Sequence, residues 1–296
     1  MAGERCFEHA ELRVMDLGKA SAFYKEVLGL VEIHREGKTA YFGCGLDNNY
    51  DLAVTEGGTG VAHFAVRVTN EDDLERYARM IKELNVAVEN TDGREPGQVK
   101  GIGFTLPSGI KAELVCVEDN KYHFPHAPAL KERGAIAPID ADHINLMTTD
   151  VQKDAGFLKS IGFYISDVKL ENDGSWMQAF TRRETYHHDV AFSLAKSEKE
   201  SLHHYAWNLR DFDHMKQIAD RAMQFGTELE VGPGRHVTGA SLFCYFWEPG
   251  GNRFEFSAEV ATVSHEMPTR FLNKNESKFS AWGGIHGRPE SFTRGS

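Results

Sequence analysis

Apolar and polar residues alternate in four short stretches that begin alike: Phe7–Val14 (FEHAELRV), Val61–Val68 (VAHFAVRV), Ala141–Thr148 (ADHINLMT) and Leu202–Leu209 (LHHYAWNL). Each carries a histidine at its third position. A period of two puts residues i and i+2 on one face of a strand. After each stretch the apolar spacing changes to that of an amphipathic helix, over Asp16–Leu28, Glu71–Leu84, Val151–Ile161 and Asp211–Phe225. Asn70 and Asp211 stand where a short polar side chain can accept from the free N–H groups of a helix start. Gly29, Asn85, Gly162 and Gly226 stand where the chain must turn left-handed to leave a helix.

Each unit closes with further strand patterns. These are Gly37–Cys44 and Tyr50–Thr55, Gly101–Leu106 and Ala112–Val117, Ser175–Phe180 and His188–Leu194, then Ser241–Trp247 and Phe254–Ser257. The repeat is therefore a β-α-β-β-β module used four times, an α+β fold. Two modules pair into a cup of mixed sheet with helices outside. The expected domains are residues 1–136 and 137–260, followed by a tail, 261–296. Residues 124–138, rich in Pro and Ala, read as the linker between them. The tail is expected to close over the cup as a lid or to pack on a neighbouring subunit.

Alternation selects candidate chemistry. His143, Asn145 and Met147 share a face; His204, Ala206 and Asn208 share another, opposite His203, Tyr205 and Trp207. The repeat aligns His143 with His204 and not with His203, and Glu255 ends the fourth module. Two neutral imidazoles and one carboxylate on adjacent strands make a facial triad suited to Fe(II) or Mn(II), leaving positions open for ligands. The competing reading is ordinary hydrogen-bonded strand histidines, since 14 histidines allow chance recurrence. Periodicity alone leaves both open.

Composition narrows the classes. With 41% hydrophobic and 26% charged residues, 296 residues read as a soluble globular chain. A net charge of −11 disfavours nucleic acid. No apolar run is long enough for a membrane span, and the N-terminus lacks the apolar core of a signal peptide. Four scattered cysteines fit neither a metal clip nor a disulfide framework. A cytoplasmic protein is the expectation.

From Gly234 to Glu255 the chain reads GRHVTGASLFCYFWEPGGNRFE. With the repeat, this run resembles the signature of type I extradiol ring-cleaving dioxygenases of the vicinal oxygen chelate superfamily, close to catechol 2,3-dioxygenases. The shared features are Gly-x-His, an apolar residue and Tyr, then an acidic residue, Pro, Gly and a final Glu. Cys244 departs from the aliphatic or Phe residue usual before the tyrosine. The resemblance covers roughly residues 5–260. It implies His143, His204 and Glu255 as metal ligands, with Fe(II) or Mn(II) as cofactor and O2 as co-substrate. It also implies His188 as a proton-handling acid/base, and His236 and Tyr245 as catalytic groups hydrogen-bonded to a bound catechol. Ring opening would occur beside the diol and not between its hydroxyls.

Asn145, Phe180 and Phe192 are candidate walls of the substrate pocket. Val231 stands where relatives acting on carboxylated catechols place an Arg, which favours a neutral one-ring catechol. His187 and His203 are expected to point away from the site, and His214 to be solvated. In the first two modules His9, His63 and Glu113 hold the equivalent positions. There Tyr50 replaces His188, Arg94 roughly replaces His236, and Gly103 replaces Tyr245, so no working site is expected. Glu11, Arg13 and Arg67 are expected to pair there as salt bridges. A homotetramer is a further expectation from the resemblance. The alternatives are a 2-oxo-acid dioxygenase of the hydroxyphenylpyruvate type, a glyoxalase-like isomerase and a non-enzymatic aromatic-binding protein on the same scaffold.

Overall fold

The computed structural model describes residues 4–118, 128–273, 276, 278–283 and 289–296. Residues 124–127 of the expected linker, and 274–275, 277 and 284–288 of the tail, lie outside the described residues. The first module comprises β1 (Phe7–Val14), α1 (Leu17–Ala22), β2 (Val31–Glu36), β3 (Thr39–Gly43) and β4 (Leu52–Glu56). The second comprises β5 (Val61–Arg67), α2 (Glu71–Glu83), β6 (Glu89–Asn90), β7 (Gln98–Thr105) and β8 (Lys111–Val117). The third holds β9 (Asp140–Thr148), α3 (Val151–Ser160), β10 (Tyr164–Leu170), β11 (Trp176–Arg182) and β12 (Val190–Leu194). The fourth holds β13 (Leu202–Asn208), α4 (Phe212–Gln224), β14 (Leu229–Arg235), β15 (Leu242–Trp247) and β16 (Arg253–Ala258), and the tail adds β17 (Arg270–Leu272).

The strand orders are β2-β3-β4-β1-β5-β8-β7-β6 and β14-β15-β16-β13-β9-β12-β11-β10-β17. Exchanging each strand for its repeat equivalent makes one order the reverse of the other, apart from β17. In every module the first strand pairs parallel with the last: β1 with β4, β5 with β8, β9 with β12 and β13 with β16. The helix between them supplies the crossover that a parallel pair requires. This topology puts the histidine-bearing strands at the middle of each sheet and the acidic strand beside them.

All four helices start on a side-chain cap. Asn70 and Asp211 accept from Asp73 N and His214 N, and Asp16 and Asp150, not singled out from the sequence, cap the other two. The first helix departs from expectation, widening at Phe23–Val27 into a π-helical turn in which Leu28 N donates to Phe23 O. His214 is not solvated: it is buried on the inner face of α4 with Met215, Ile218 and Ala222, and its Nδ1 accepts from Arg210 N at 3.3 Å. Gly232 holds a left-handed backbone (φ +109°), and a Cβ there would meet Cys244 Cα at 2.8 Å, so β14 crosses β15 closely at this point.

The chain divides into two compact bodies. One comprises Phe7–Ala141 with Glu248–Gly251; the other comprises the residues up to Cys6, Asp142–Trp247 and Asn252–Ser296. Both chain ends thus belong to the second body. Cys6 N donates to Asp189, and Ser296 exchanges backbone hydrogen bonds with Leu202. The end of the tail is tied down by the fully buried Arg253, whose guanidinium donates to the carbonyls of His203, Ser291 and Arg294 and pairs with Glu230.

Candidate metal centre

His143 on β9, His204 on β13 and Glu255 on β16 converge with every side chain buried. Tyr205 pairs with Phe254 and Ala206 with Glu255, which brings the carboxylate beside the histidine strand. The three donor atoms form a nearly equilateral triangle. His143 Nε2 lies 3.1 Å from His204 Nε2 and 3.3 Å from Glu255 Oε2, and His204 Nε2 lies 3.0 Å from the same oxygen. Cis ligands about 2.1 Å from an octahedral cation stand about 3.0 Å apart. The triangle therefore fits one face of a divalent cation's coordination shell, with the opposite face open.

The electrostatics agree with that fit. Burial disfavours charge on His143, but the Asp142 and Glu255 carboxylates outweigh it and push its pKa up to about 9. Burial likewise opposes charge on Glu255, yet His204 and His143 hold its carboxyl well below the usual range. Burial keeps His204 down at about 4 against the pull of Glu255. Glu255 Oε1 is a buried oxygen without a hydrogen bond.

Polar partners stand behind the outer nitrogens of both ligand rings, where they can orient a metal-bound imidazole, although the one behind His143 makes no hydrogen bond here. His143 Nδ1 lies 3.4 Å from Asp142 Oδ2. His204 Nδ1 lies 2.6 Å from His203 Nδ1, and His203 Nε2 lies 3.0 Å from Phe292 O. A carbonyl only accepts, so His203 carries its proton on Nε2 and accepts from His204 Nδ1–H. That leaves the His204 Nε2 lone pair for the cation. His203 is thus no bystander on a back face; it is buried against the ligand ring and sets its tautomer.

The same correction holds for His187. The pair His187–His188 does not sit on a strand but in the loop before β12. His187 Nε2 lies 3.1 Å from Asp167 Oδ2, and His187 Nδ1 lies 2.9 Å from His188 Nδ1. Asp167 in turn accepts from Arg270 of β17 at 2.7 and 2.9 Å. The carboxylate assigns the His187 proton to Nε2, so His188 donates from Nδ1 and keeps its Nε2 lone pair. Burial, then the neighbouring His143, hold the His188 imidazole well below its ordinary pKa. Its ring lies 4.1 Å from that of His143. A neutral base stands at the metal position.

On the other side, Tyr245 pairs directly across from Glu255, and its hydroxyl lies 2.8 Å from His236 Nε2. Burial and then Glu255 push the phenol well above its usual pKa, so it remains a donor. His236 Nδ1 lies 3.3 Å from Phe279 O, and its ring stacks on Phe243 at 4.0 Å.

The triad, His188, His203, His236 and Tyr245 line one cavity, together with Asn145 and Phe180. Ser193 Oγ donates to Asn145 Oδ1 at 2.9 Å and accepts from Gln178 at 2.8 Å. Phe192 does not belong there. It is fully buried and, by alternation with Ser193, turns to the opposite side of β12. The sequence reading missed Lys169, Gln178, Thr238 and Ser241 on the lining, and the tail residues Phe279 and Phe292. The tail aromatics carry no repeat signal; they enter with Val231, Phe243 and Tyr245 as one apolar cluster.

The N-terminal counterpart differs from expectation. His9 and His63 come together with Glu95, from the segment between β6 and β7, and not with Glu113. Glu113 does face Gly103 across β7 and β8, the register of Tyr245 and Glu255, but its carboxylate is taken by Arg94 (3.2 Å) and Gln98 (3.3 Å). Glu11, Arg13 and Arg67 do not pair with one another as expected. Glu11 faces His63 Nδ1 at 3.2 Å, Arg67 pairs with Glu8 at 3.2 Å, and Arg13 donates to Val61 O at 2.6 Å.

The family model described as the Glyoxalase/Bleomycin resistance protein/Dioxygenase superfamily matches residues 7–114 and again 140–256. The chain belongs to that superfamily. Within it, the chain is a homologue of extradiol dioxygenases over most of its length. It is 30% identical over 266 residues to the manganese-dependent 2,3-dihydroxybiphenyl 1,2-dioxygenase of Geobacillus genomosp. 3, covering 84% of this chain and 83% of that protein. It is 28% identical over 285 residues to a metapyrocatechase of Pseudomonas sp. (strain CF600), covering 91% of each. The superfamily fold is seen again in homoprotocatechuate 2,3-dioxygenase from Brevibacterium fuscum, solved with 3,4-dihydroxyphenylacetate. That structure matches with a TM-score of 0.85 at 24% identity, over 99% of this chain and 92% of that one. The His-His-Glu set is a divalent-metal site.

Proposed function

We propose that the protein is an Fe(II)-dependent extradiol dioxygenase that opens a neutral, one-ring catechol beside its diol, giving a 2-hydroxymuconic-semialdehyde-type product. The observation that carries this reading is the open face of the His143–His204–Glu255 triangle, flanked by the free Nε2 of His188 and the paired His236 and Tyr245. A divalent iron bound there supplies the positions at which the diol and O2 meet. His188 Nε2 accepts a proton from the diol and returns it during ring opening, and the low proton affinity that burial gives this imidazole favours the return. Tyr245 O–H, which donates to His236 Nε2 in the free cavity, turns to a catechol oxygen when the diol binds and stabilises the charge left there. Phe279 and Phe292 exclude water from the reacting ring.

The apolar Val231 supports a neutral substrate, whereas Lys169 at the far wall, with Nζ 5.6 Å from the Phe180 ring centroid, is the feature that would favour an acidic one. The test is oxygen uptake and yellow product with a panel of catechol, 3- and 4-methylcatechol and 3,4-dihydroxyphenylacetate, using protein loaded with Fe(II) or with Mn(II). Turnover of the neutral catechols with iron is expected. Preference for the carboxylated compound would transfer specificity to Lys169, preference for Mn(II) would change the metal, and no uptake with any catechol would defeat the reading. The homotetramer is carried as part of the proposal and is checked by light scattering.

A further inference from the structure

We propose that the first body holds a second divalent transition-metal cation, on His9 Nε2, His63 Nε2 and the Glu95 carboxylate. Glu95 Oε2 lies 3.1 Å from His9 Nε2 and 3.3 Å from His63 Nε2, and the three donors lie within 4.8 Å of one another. Two of the edges thus match those of the His143–His204–Glu255 triangle. All three residues are buried.

Independent features point to a cation. His9 Nε2 is buried and makes no hydrogen bond despite its closeness to Glu95, as a lone pair aimed at a metal would be placed. The outer nitrogen of His63, Nδ1, faces the Glu11 carboxylate at 3.2 Å, the carboxylate–histidine arrangement that orients a metal-bound imidazole. Tyr50 donates to Glu95, and its ring lies 4.3 Å from that of His9, much as His188 stands beside His143. Glu95 is met by two imidazoles and a phenol, a buried donor set of the kind that holds a divalent cation.

Two imidazoles and a carboxylate select a first-row divalent ion such as Zn(II), Co(II), Fe(II) or Mn(II). Gly103 stands where Tyr245 stands in the other body, and Tyr50 where His188 stands. Without counterparts of His188 and Tyr245 the site is structural, and the cation sits alongside the Arg67–Glu8 and Arg94–Glu113 ion pairs of the same body. It does not depend on the proposed ring cleavage.

The test is metal content after equilibrium dialysis of the full-length protein with Co(II). Two equivalents per chain are expected for the parent, one for Glu95→Gln and one for Glu255→Gln. Glu95→Gln reloaded with Fe(II) should retain ring cleavage. One equivalent in the parent, or two in Glu95→Gln, overturns the proposal. Should Glu95→Gln not fold, Glu255→Gln decides alone: Co(II) should still bind it and raise its Tm, and failure of both overturns the second site.

Discussion

His187 Nδ1 and His188 Nδ1 lie 2.9 Å apart, and the hydrogen between them belongs to His188 because Asp167 claims the other nitrogen of His187. The base is thereby presented to the cavity in one tautomer. His188→Phe should lower kcat by about 10²–10⁴-fold with metal content unchanged, the usual worth of a positioned acid/base. His187→Phe should lower kcat less and move the pH profile, because the His188 ring loses its acceptor. Equal losses in the two variants, with unchanged profiles, would show that the pair does not act in this order.

Asp142 sits behind His143 as Glu11 sits behind His63. Asp142→Asn should weaken Fe(II) binding by about 10–100-fold, the typical effect of losing a partner of a metal-bound imidazole. Titration with Fe(II) under anaerobic conditions measures it. Chelation of the parent should abolish ring cleavage, and added Fe(II) should restore it.

Phe292 closes the apolar cluster beside Tyr245, with ring centroids 4.8 Å apart. Phe292→Ala should raise KM for catechols more than it lowers kcat, since the ring shapes the wall and takes no proton. A separate substitution, Arg253→Met, removes the fixing of the tail and leaves Glu230 unpaired. It should cost about 3–5 kcal/mol of stability, measured by urea unfolding.

Asp167 makes stability depend on pH. Burial opposes its charge, but His187 and Arg270 outweigh it and hold the pKa down at about 2, against an ordinary 3.8. A carboxyl depressed on folding stabilises above its ordinary pKa, and that contribution is lost as pH falls toward the depressed value. Asp167→Asn should therefore be less stable than the parent by about 2 kcal/mol at pH 7. The difference should shrink between pH 4 and pH 2; a gap undiminished at pH 2 would refute the assignment.

The repeat, the helices and the ligand triad were all legible in the chain. Strand alternation and module spacing are local properties, and the parallel pairing of first and last strands follows from the helix between them. His143 and His204 could be matched by register, and Glu255 by the end of its strand. Asn145 and Phe180 also fall on the cavity. His188, His236 and Tyr245 were assigned by resemblance, and they stand around the triad.

Other positions were not legible, because long-range packing decided them. Alternation assigned His187 and His203 to a far side, but a loop carries the first. The second is turned by a carbonyl 89 residues away, Phe292 O. Phe192 and His214 were misplaced for the reverse reason: an aromatic on a core strand and a histidine on a capped helix each have two faces to choose from, and contacts made the choice. In the first body Arg94 and Gln98 occupy Glu113, and Glu95 enters from a segment with no period to mark it. The sequence by itself determined which strands carry the histidines and in what order they lie. The tertiary structure decided which nitrogen of each ring is protonated and which carboxylate completes the N-terminal cluster, because both depend on partners distant in the chain.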